Sequence, residues 1–403
     1  MFSVEGDVER KELAYMCSKA TVFLIVLILF PGSSVFSQSE KRASSEQEQR
    51  LVAYLKSHRK SPEDYVISKF SKHDIVFIGE YHRIKHDLEL IHKLIPRLYK
   101  AHVYNLGLEF GSYEHQDKVD RLITAQTYDE NLARWLIFEQ DVAWGYKEYE
   151  DIYRAAWKLN RSLPKRTRRF RVVNLGYRAN WTARKEEMTP ADWEKVWWQG
   201  DPDVHMANVV IKEFVDKGQK ALIYSGNHHA FTRYHQPIYD FENKKFLRFN
   251  TTRMGNVVYD KIGDRAFNIY LHAPWGSNSN LDVDTRPMHG VIDAVMQKLN
   301  NKAVGFDVKG TPFGAITDNQ SYYSLGYANF TLYTYCDGYI FQGRLEDSEG
   351  VTVDPLSITE ANLQEAIAYL PNPSFRKRVK TPEDIIAGMR RSSDMKRRFK
   401  SLK

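Results

Sequence analysis

The stretch that decides the fold is Ile75-Val76-Phe77-Ile78, which runs without a break into Gly79-Glu80-Tyr81-His82. The first four residues are apolar and are mostly β-branched or aromatic, which is typical of a strand buried on both faces. A glycine and two ionisable side chains follow at once. A tight turn therefore brings a carboxylate and an imidazole to the end of a buried strand.

Three further stretches repeat this order of buried strand and polar residues. They are Val103–Leu108 followed by Glu109, Arg171–Leu175 followed by Gly176-Tyr177-Arg178, and Ala221–Tyr224 followed by Gly226-Asn227-His228-His229. In an open α/β sheet, ligands bind in the crevice beyond the carboxyl ends of the strands. Because four strands bring polar side chains to this edge, we predict an active site there.

The chain as a whole has the pattern of an α/β domain. From about Leu51 to Phe341, short β-rich runs alternate with helical stretches, which predicts a mainly parallel central sheet flanked by helices. The stretch Tyr239–Phe249 predicts a β-hairpin inserted after the fourth strand. The clearest helix has one apolar stripe, made by Ile84, Leu88, Ile91, Ile95 and Leu98. We expect a single large domain over residues 61–345.

The two ends of the chain differ from this pattern. Residues 1–38 are predicted to be a secretory signal peptide, since the apolar run Ala20–Phe30 follows Lys19 and precedes small residues. Met1–Tyr15 is polar, so a start at Met16 would give a more compact leader. We expect export to the periplasm or the exterior, with membrane contact only through an uncleaved leader. Residues 39–60 are expected to be a polar linker and a first helix, and residues 346–403 a basic helical tail.

Composition restricts the partners. The chain has 403 residues, a net charge of +7 and only two cysteines, so disulfides are not expected to stabilise it. Much of the positive excess lies in Arg161–Arg171 and Arg376–Lys403. No recognition helix or aromatic-rich strand accompanies these charges, so a nucleic-acid partner is not expected. A small-molecule or peptide substrate is expected instead.

The candidate site residues have the chemistry of proton transfer. Glu80 beside His82 can fix the tautomer of the imidazole and stabilise its cation, and the next helix could hold an oxyanion at its N-terminus. Glu109 would be costly to bury unless it is paired or catalytic. Of the neighbours His228 and His229, only one can face the site.

Two kinds of site remain open for these residues. Glu80, His82, Glu109 and one of the two adjacent histidines form either a metal-free acid/base set or the ligands of a divalent metal. His86 lies one turn beyond His82, but its helix face is far from the apolar stripe. We therefore expect His86 to face solvent.

Three motifs give a family resemblance. Gly79-Glu80-Tyr81-His82, Gly107-Leu108-Glu109 and Gly226-Asn227-His228-His229-Ala230 resemble the superfamily that joins ChaN-like haem-binding proteins, TIKI/TraB-type proteases and erythromycin esterases. The resemblance covers about Asp74 to Phe341. It implies that His229 is the site histidine and that His228 stands in a variable position.

A fourth motif extends this resemblance and departs from it in one place. Asp203-Val204-His205-Met206-Ala207 is similar to a helix start of the family in which an arginine precedes the aspartate. Pro202 replaces that arginine here, and Arg178 would supply the guanidinium instead. The resemblance thus implies binding roles for Arg178, Asp203, His205 and His228.

Three functions follow from the resemblance. A hydrolase of an ester, amide or peptide bond would use His82 as general base, with Glu80, Glu109 and His229 completing the acid, base or metal set. A haem- or iron-binding uptake protein of the ChaN type would need an exposed apolar face with a tyrosine or histidine ligand. An inactive interaction scaffold is the third. The exported hydrolase is the leading hypothesis, because a scaffold would not need acids and histidines at the crevice.

Overall fold

The structure is a computed structural model that describes residues 37–402, with side chains from residue 46 onward. The predicted signal peptide, apart from its last two residues, and the alternative start at Met16 lie outside the described residues. Among the helices that are described, none combines the length and the apolar character needed to cross a bilayer.

A seven-stranded sheet forms the centre of a single α/β domain, as predicted. Its strands are β1 (Ile75–Glu80), β2 (Asn105–Ser112), β3 (Arg171–Gly176), β4 (Ala221–Gly226), β7 (Ala266–Leu271), β10 (Val304–Asp307) and β11 (Gly338–Phe341). Two small separate sheets are also present. One pairs β5 (Gln236–Asp240) with β6 (Lys245–Asn250), and the other pairs β8 (Trp275–Gly276) with β9 (Asp284–Thr285). The strand order is β10-β11-β7-β1-β4-β2-β3. Only β10 runs antiparallel to its neighbour within this sheet.

Helices cover both faces of the sheet and connect its parallel strands. They are α1 (Ser37–His58), α2 (Pro62–Lys69), α3 (Lys85–Lys100), α4 (Gln116–Thr124), α5 (Glu130–Gln140), α6 (Lys147–Ser162), α7 (Pro190–Val196), α8 (Pro202–Val210), α9 (Met254–Ile262), α10 (Val291–Gln297), α11 (Leu332–Tyr335), α12 (Leu363–Tyr369), α13 (Pro373–Arg376), α14 (Pro382–Ser393) and α15 (Met395–Arg398). Helices α3 to α6 pack on one face, and α8 and α9 pack on the other. Four residues of the predicted stripe, Leu88, Ile91, Ile95 and Leu98, face the first of these cores, whereas Ile84 precedes α3 and packs in a separate apolar cluster.

The central strands are buried along their whole length, which is why they read as continuous apolar runs. Every residue of β1, β4 and β7 is buried. Strand β2 differs from the prediction, because Glu109 lies inside it and not after its end. The pairing of β2 with β3 changes register between Leu108 and Ser112. An irregularity of this kind redirects a side chain, and here it occurs at Glu109.

The insertion predicted after the fourth strand is a β-hairpin. Strands β5 and β6 pair antiparallel, with Gln236 opposite Asn250 at the open end and Asp240 opposite Lys245 at the turn. The Asp240 side chain accepts hydrogen bonds from the backbone N–H groups of Glu242 and Asn243, which closes the turn.

The C-terminal segment, residues 346–402, packs on the domain. Its apolar side chains enter the main core: Val351, Ile358, Leu363, Ala366, Leu370, Val379, Ile385, Ile386 and Met389. The segment also contacts the turn after β1. The Val351 N–H donates to the Arg83 carbonyl at 3.1 Å, and Arg398 Nη1 donates to the His82 carbonyl at 2.7 Å. The segment predicted as a basic tail thus supports the turn that carries His82.

Candidate active site

Glu80, the last residue of β1, is buried and accepts three hydrogen bonds. His82 Nδ1 donates to Oε1 at 2.7 Å, the Tyr149 hydroxyl donates to the same oxygen at 2.5 Å, and the Tyr224 hydroxyl donates to Oε2. Burial, and then the charge of Glu80, raises the pKa of Tyr149 and of Tyr224 well above the usual range. Both hydroxyls therefore remain protonated donors, and the carboxylate is held in one orientation.

His82 is held in place by Glu80 and by two aromatic rings. Its ring meets Phe110 and Trp144 edge to face, with centroids 5.6 Å and 5.1 Å away. Phe110 and Trp144 stack on each other. Because a carboxylate can only accept, the Nδ1 proton belongs to the bond with Glu80, and Nε2 is the nitrogen that can take up a proton.

A second acid–histidine pair lies nearby. His229 Nδ1 donates to Asp203 Oδ1 at 2.7 Å, and Asp203 also accepts from Arg253 Nη1 at 3.0 Å and from the Met254 N–H at 2.7 Å. Burial alone would raise the pKa of Asp203, but the charges of His229 and Arg253 and these hydrogen bonds outweigh it and lower that pKa. Asp203 is therefore an ionised partner that orients His229.

Glu109 lies between the two pairs. Its Oε1 is 3.4 Å from His229 Nε2, and its Oε2 accepts a hydrogen bond of 2.5 Å from the Gly226 N–H. A methyl group on Gly226 would lie 2.9 Å from His82 Nε2 and 3.4 Å from Glu109 Oε2. The structure thus brings Glu80, His82, Glu109 and His229 together around Gly226, and all four come from the sequence prediction.

The contacts described for three of the four predicted binding residues are with groups other than the site residues. His228 Nε2 lies 3.0 Å from the Tyr323 hydroxyl, within an aromatic cluster. The ring of His205 packs against Tyr177, with centroids 4.8 Å apart. Arg178 forms ion pairs with Glu139 at 3.2 Å and Glu365 at 2.8 Å. Two carboxylates thus already neutralise Arg178, which was expected to supply the guanidinium of the site.

Asp203 contacts the site and does not cap helix α8. The cap is Asp201, whose side chain accepts from the backbone N–H groups of Asp203 and Val204. The two aspartates are equivalent candidates in sequence. The one inside the helix is free of the capping role and pairs with His229.

The N-terminus of α3 differs from the expected oxyanion site. The Lys85 N–H donates to the Glu349 carbonyl at 2.9 Å, and the Arg83 N–H donates to the Tyr149 hydroxyl at 3.0 Å. These two donors are therefore already used. His86 also differs from its prediction, because burial, and then the charge of His272, lowers its pKa to about 4. The His86 side chain is 29% exposed, and His272, directly after β7, lies close enough for its charge to act on it.

Sequence reasoning missed the groups that hold the two pairs in place: Tyr149, Tyr224, Arg253, Phe110 and Trp144. Tyr224 had a detectable signal, since a polar hydroxyl stood in an otherwise apolar strand two residues before Gly226. Phe110 follows Glu109 within β2, whereas Tyr149, Arg253 and Trp144 come from helices and loops far away in the sequence. The spacing of these residues along their own segments does not show that they lie beside Glu80 or His82.

The side chains do not fit a metal centre. Within residues 46–402, no three or more His, Cys, Asp or Glu side chains are arranged to hold a metal ion. Glu80 Oε1 accepts from His82 and Tyr149 and Oε2 accepts from Tyr224, so Glu80 acts as a hydrogen-bond acceptor and not as a ligand. The Nδ1 bonds of His82 and His229 to carboxylates only fix the orientation of the two rings. The alternative that Glu80, His82, Glu109 and His229 ligate a metal is therefore not supported.

The described surface also offers little for haem. The large apolar side chains that are exposed in residues 46–402 are Trp198, Val283 and Leu356, and they lie on three separate segments. A macrocycle would cover a broad apolar face instead. A cavity of about 370 Å³ opens at the opposite edge of the sheet, beside Lys69, Phe267 and Asp307, and none of the four site residues lines it.

The glycine between the two pairs provides a direct test of this geometry. We expect Gly226→Ala to lower activity strongly, because the new methyl group would lie 2.6 Å from His82 Cε1 and would push the ring away from Glu109. Gly343→Ala is the matched control, since nothing lies within 4 Å of its added Cβ. Turnover and thermal unfolding of both variants are the measurements. Equal activity of the two variants would contradict the site.

Fold and site together define an α/β protein with two acid–histidine pairs at the carboxyl edge of a mainly parallel sheet. Residues 66–164 match the family model described as haem-binding uptake, Tiki superfamily, ChaN. This match confirms the superfamily resemblance drawn from the motifs. The matched segment contains Glu80, His82 and Glu109.

Several solved structures are similar to this chain at low sequence identity. A succinoglycan biosynthesis protein is 10% identical, with a TM-score of 0.50 over 78% of this chain and 99% of its own. An erythromycin esterase mutant in its open conformation is 11% identical, with a TM-score of 0.47 over 73% of this chain and 95% of its own. ChaN of Campylobacter jejuni, with cofacially bound haem, is 14% identical, with a TM-score of 0.34 over 55% and 89% of the two chains.

A search of curated protein sequences found no match. The family description names haem-binding uptake, and the similar solved structures include an erythromycin esterase.

Proposed function

We propose that this protein is an exported hydrolase of an ester, amide or peptide bond and that it works without a metal. The observation that carries the proposal is the convergence of two oriented acid–histidine pairs and Glu109 around Gly226. Each pair has the form that general acid–base catalysis requires, an imidazole whose second nitrogen is fixed by an acid. The substrate is a small molecule or a peptide.

The two pairs would divide the proton transfers between them. His82 Nε2 would remove a proton from water, and the resulting hydroxide would add to the carbonyl carbon of the substrate. His229, in its cationic form, would give its Nε2 proton to the leaving oxygen or nitrogen as the bond to carbon breaks. Glu80 and Asp203 would stabilise the cationic form of each ring, and Glu109 would orient the water between them.

The test is turnover of a panel of esters, amides and peptides by the full chain and by His229→Ala. We expect the variant to lose roughly 10²- to 10⁴-fold in kcat, the usual worth of one acid–base group. His58→Ala is the control, because His58 is exposed at the end of α1 and packs on Tyr54. If the two variants matched the wild type on every substrate, the site assignment would be wrong.

The alternative function is haem binding of the ChaN type, and the match of residues 66–164 to a haem-binding family description favours it. A haem titration of the same preparation separates the two functions. A tight complex with a shifted Soret band and no turnover of any substrate would replace the hydrolase proposal. Metal analysis of that preparation checks the metal-free form of the mechanism.

A further inference from the structure

The cavity of about 370 Å³ lies at the edge of the sheet opposite the candidate active site. It is found where β1, β7 and β11 begin and where the antiparallel strand β10 ends. Its volume is within the range of about 300–1,000 Å³ that is typical of small-molecule sites. Ala266 and Phe267, the first residues of β7, give it an apolar part. Four lysines line this lysine cavity: Lys60, Lys69, Lys72 and Lys309.

Three acids also line the lysine cavity, and each already has a cationic partner. The pairs are Asp307 with Lys69, Asp264 with Lys309 at 3.4 Å, and Asp337 with Arg233 at 2.6 Å. Lys60 and Lys72 form no ion pair or side-chain hydrogen bond within the part of the chain whose side chains are described. Asp64 attracts Lys60, but it pairs with Arg97 at 2.7 Å. Two ammonium groups of the cavity are therefore left without an acid.

The ammonium groups lie close enough to act on one another. The Lys69 side chain is 12% exposed, and its Nζ lies 4.3 Å from the centre of the Tyr65 ring. Burial lowers the pKa of Lys69, Asp307 opposes this effect, and the charges of Lys60 and Lys72 lower the pKa further. Both unpaired lysines thus repel Lys69. An anion among the three amino groups would offset this repulsion.

The backbone that carries the two unpaired lysines is held in place. The Lys60 N–H donates to the Gly305 carbonyl at 3.1 Å, and the Lys60 carbonyl accepts from the Gly305 N–H at 2.9 Å, which ties the residue to β10. At the end of α2, the Lys69 carbonyl accepts from the N–H groups of Lys72 and His73 at 3.1 Å and 3.0 Å. The turn with Lys72 is therefore closed before any ligand binds. Less of the chain then has to be ordered on binding.

We propose that the lysine cavity binds a phosphate group, with Lys60 and Lys72 as its main ligands. Lysine is a compact point charge with three donors and is a common phosphate ligand. A phosphate monoester carries about −1.5 to −2 at pH 7, which matches the two charges that the ion pairs leave over. A free phosphate ester and the headgroup of a phospholipid share this chemistry. The cavity is separate from Glu109 and the two acid–histidine pairs, so the binding does not depend on hydrolysis.

Calorimetric titration of the full chain with glycerol 3-phosphate and with succinate tests the site. Both probes are small dianions, but only the first contains a phosphate. We expect the wild type to bind glycerol 3-phosphate more tightly than succinate. The double variant Lys60→Met, Lys72→Met should weaken the binding of glycerol 3-phosphate by roughly 10- to 100-fold, the usual effect of losing charge-assisted hydrogen bonds.

The matched control is the double variant Lys158→Met, Lys165→Met. Both of these lysines are exposed and lie outside the cavity, and their replacement changes the net charge by the same amount. Lys165 precedes β3, so it lies at the same edge of the sheet but beside the strand farthest from β10. We expect the control to bind glycerol 3-phosphate as the wild type does. Equal weakening in both double variants would show a general attraction to positive charge and would overturn the inference.

Vesicles distinguish the two sources of phosphate. Sedimentation is measured with phosphatidylcholine vesicles and with vesicles that also contain phosphatidic acid. Binding to the phosphatidic acid vesicles that is lost in the Lys60 and Lys72 variant, and kept in the control, would identify a lipid headgroup as the ligand. Binding of glycerol 3-phosphate without such sedimentation would identify a free phosphate ester.

Thermal unfolding shows whether the variants fold and measures binding a second time. Lys60 and Lys72 are exposed, so their replacement is expected to preserve the fold. Glycerol 3-phosphate should raise the Tm of the wild type and the control, but not that of the Lys60 and Lys72 variant. If the double variant did not fold, the single variants Lys60→Met and Lys72→Met would carry the test. The inference would be overturned if the wild type bound neither glycerol 3-phosphate nor phosphatidic acid vesicles, or bound succinate equally well.

Discussion

Replacement of Glu80 by glutamine is expected to lower kcat by roughly 10³- to 10⁴-fold, as loss of the orienting acid does in hydrolytic triads. The amide would offer only one oxygen to the three donors that now bind the carboxylate, from His82, Tyr149 and Tyr224. His82 would lose the tautomer that leaves Nε2 ready to accept a proton. The measurement is kcat and its pH profile on the best ester or amide of the panel.

Glu150→Gln is the matched control for this variant. Glu150 is equally buried, but burial, and then the charge of Asp354, raises its pKa to about 8. Its side chain is therefore largely neutral at pH 7, and an amide is a close substitute. We expect wild-type kcat for the control. Comparable losses in both variants, or full activity in Glu80→Gln with an intact fold, would contradict the role given to Glu80.

Removal of residues 346–403 is expected to prevent folding. The described part of this segment contributes nine buried apolar residues to the main core. Burial of a large apolar side chain contributes about 1.5–3 kcal/mol, so the eight that are larger than alanine contribute about 12–24 kcal/mol, as much as or more than the ~5–15 kcal/mol by which domains are stable. Circular dichroism and gel filtration of the truncated chain are the measurements. A cooperatively folded monomer would contradict the expectation.

A point variant tests whether the C-terminal segment supports the site independently of its contribution to the stability of the whole domain. Arg398→Met removes the hydrogen bond to the His82 carbonyl, and Arg397→Met is the control because its side chain is exposed. We expect the first variant to lose activity at nearly unchanged thermal stability and the second to resemble the wild type. Equal activity of the two would assign the segment a purely structural role.

Much of the sheet could be predicted because its strands are continuous apolar runs. Strand β1 was recognised from Ile75-Val76-Phe77-Ile78 alone, since parallel strands are buried on both faces. Strand β2 was not bounded correctly, because the register irregularity near Glu109 has no signature in a single sequence. The position of Glu109 inside the strand was therefore missed.

The site residues at strand ends could be predicted from the sequence, but those on helices and loops could not. Glu80 ends a buried strand, and His82 and His229 come two or three residues after one, so topology alone brings them to one edge. Tyr149 lies 69 positions from Glu80, and the position of a tyrosine within its helix does not specify which carboxylate it contacts. Arg178 was chosen for the guanidinium role because it follows a strand, whereas its charge is paired with Glu139 and Glu365.

The bond between Arg398 and His82 links two residues that are 316 positions apart. At ~5–20 residues per second, a ribosome would need roughly 15–60 s to make the chain between them. During that time the turn would carry its acid and its histidine without the support that holds them in place. The site would then become competent only once the chain has been made as far as Arg398, and the Arg398→Met variant measures this dependence. If the proposed activity is correct, the chain would not act on its substrate before that residue has been added.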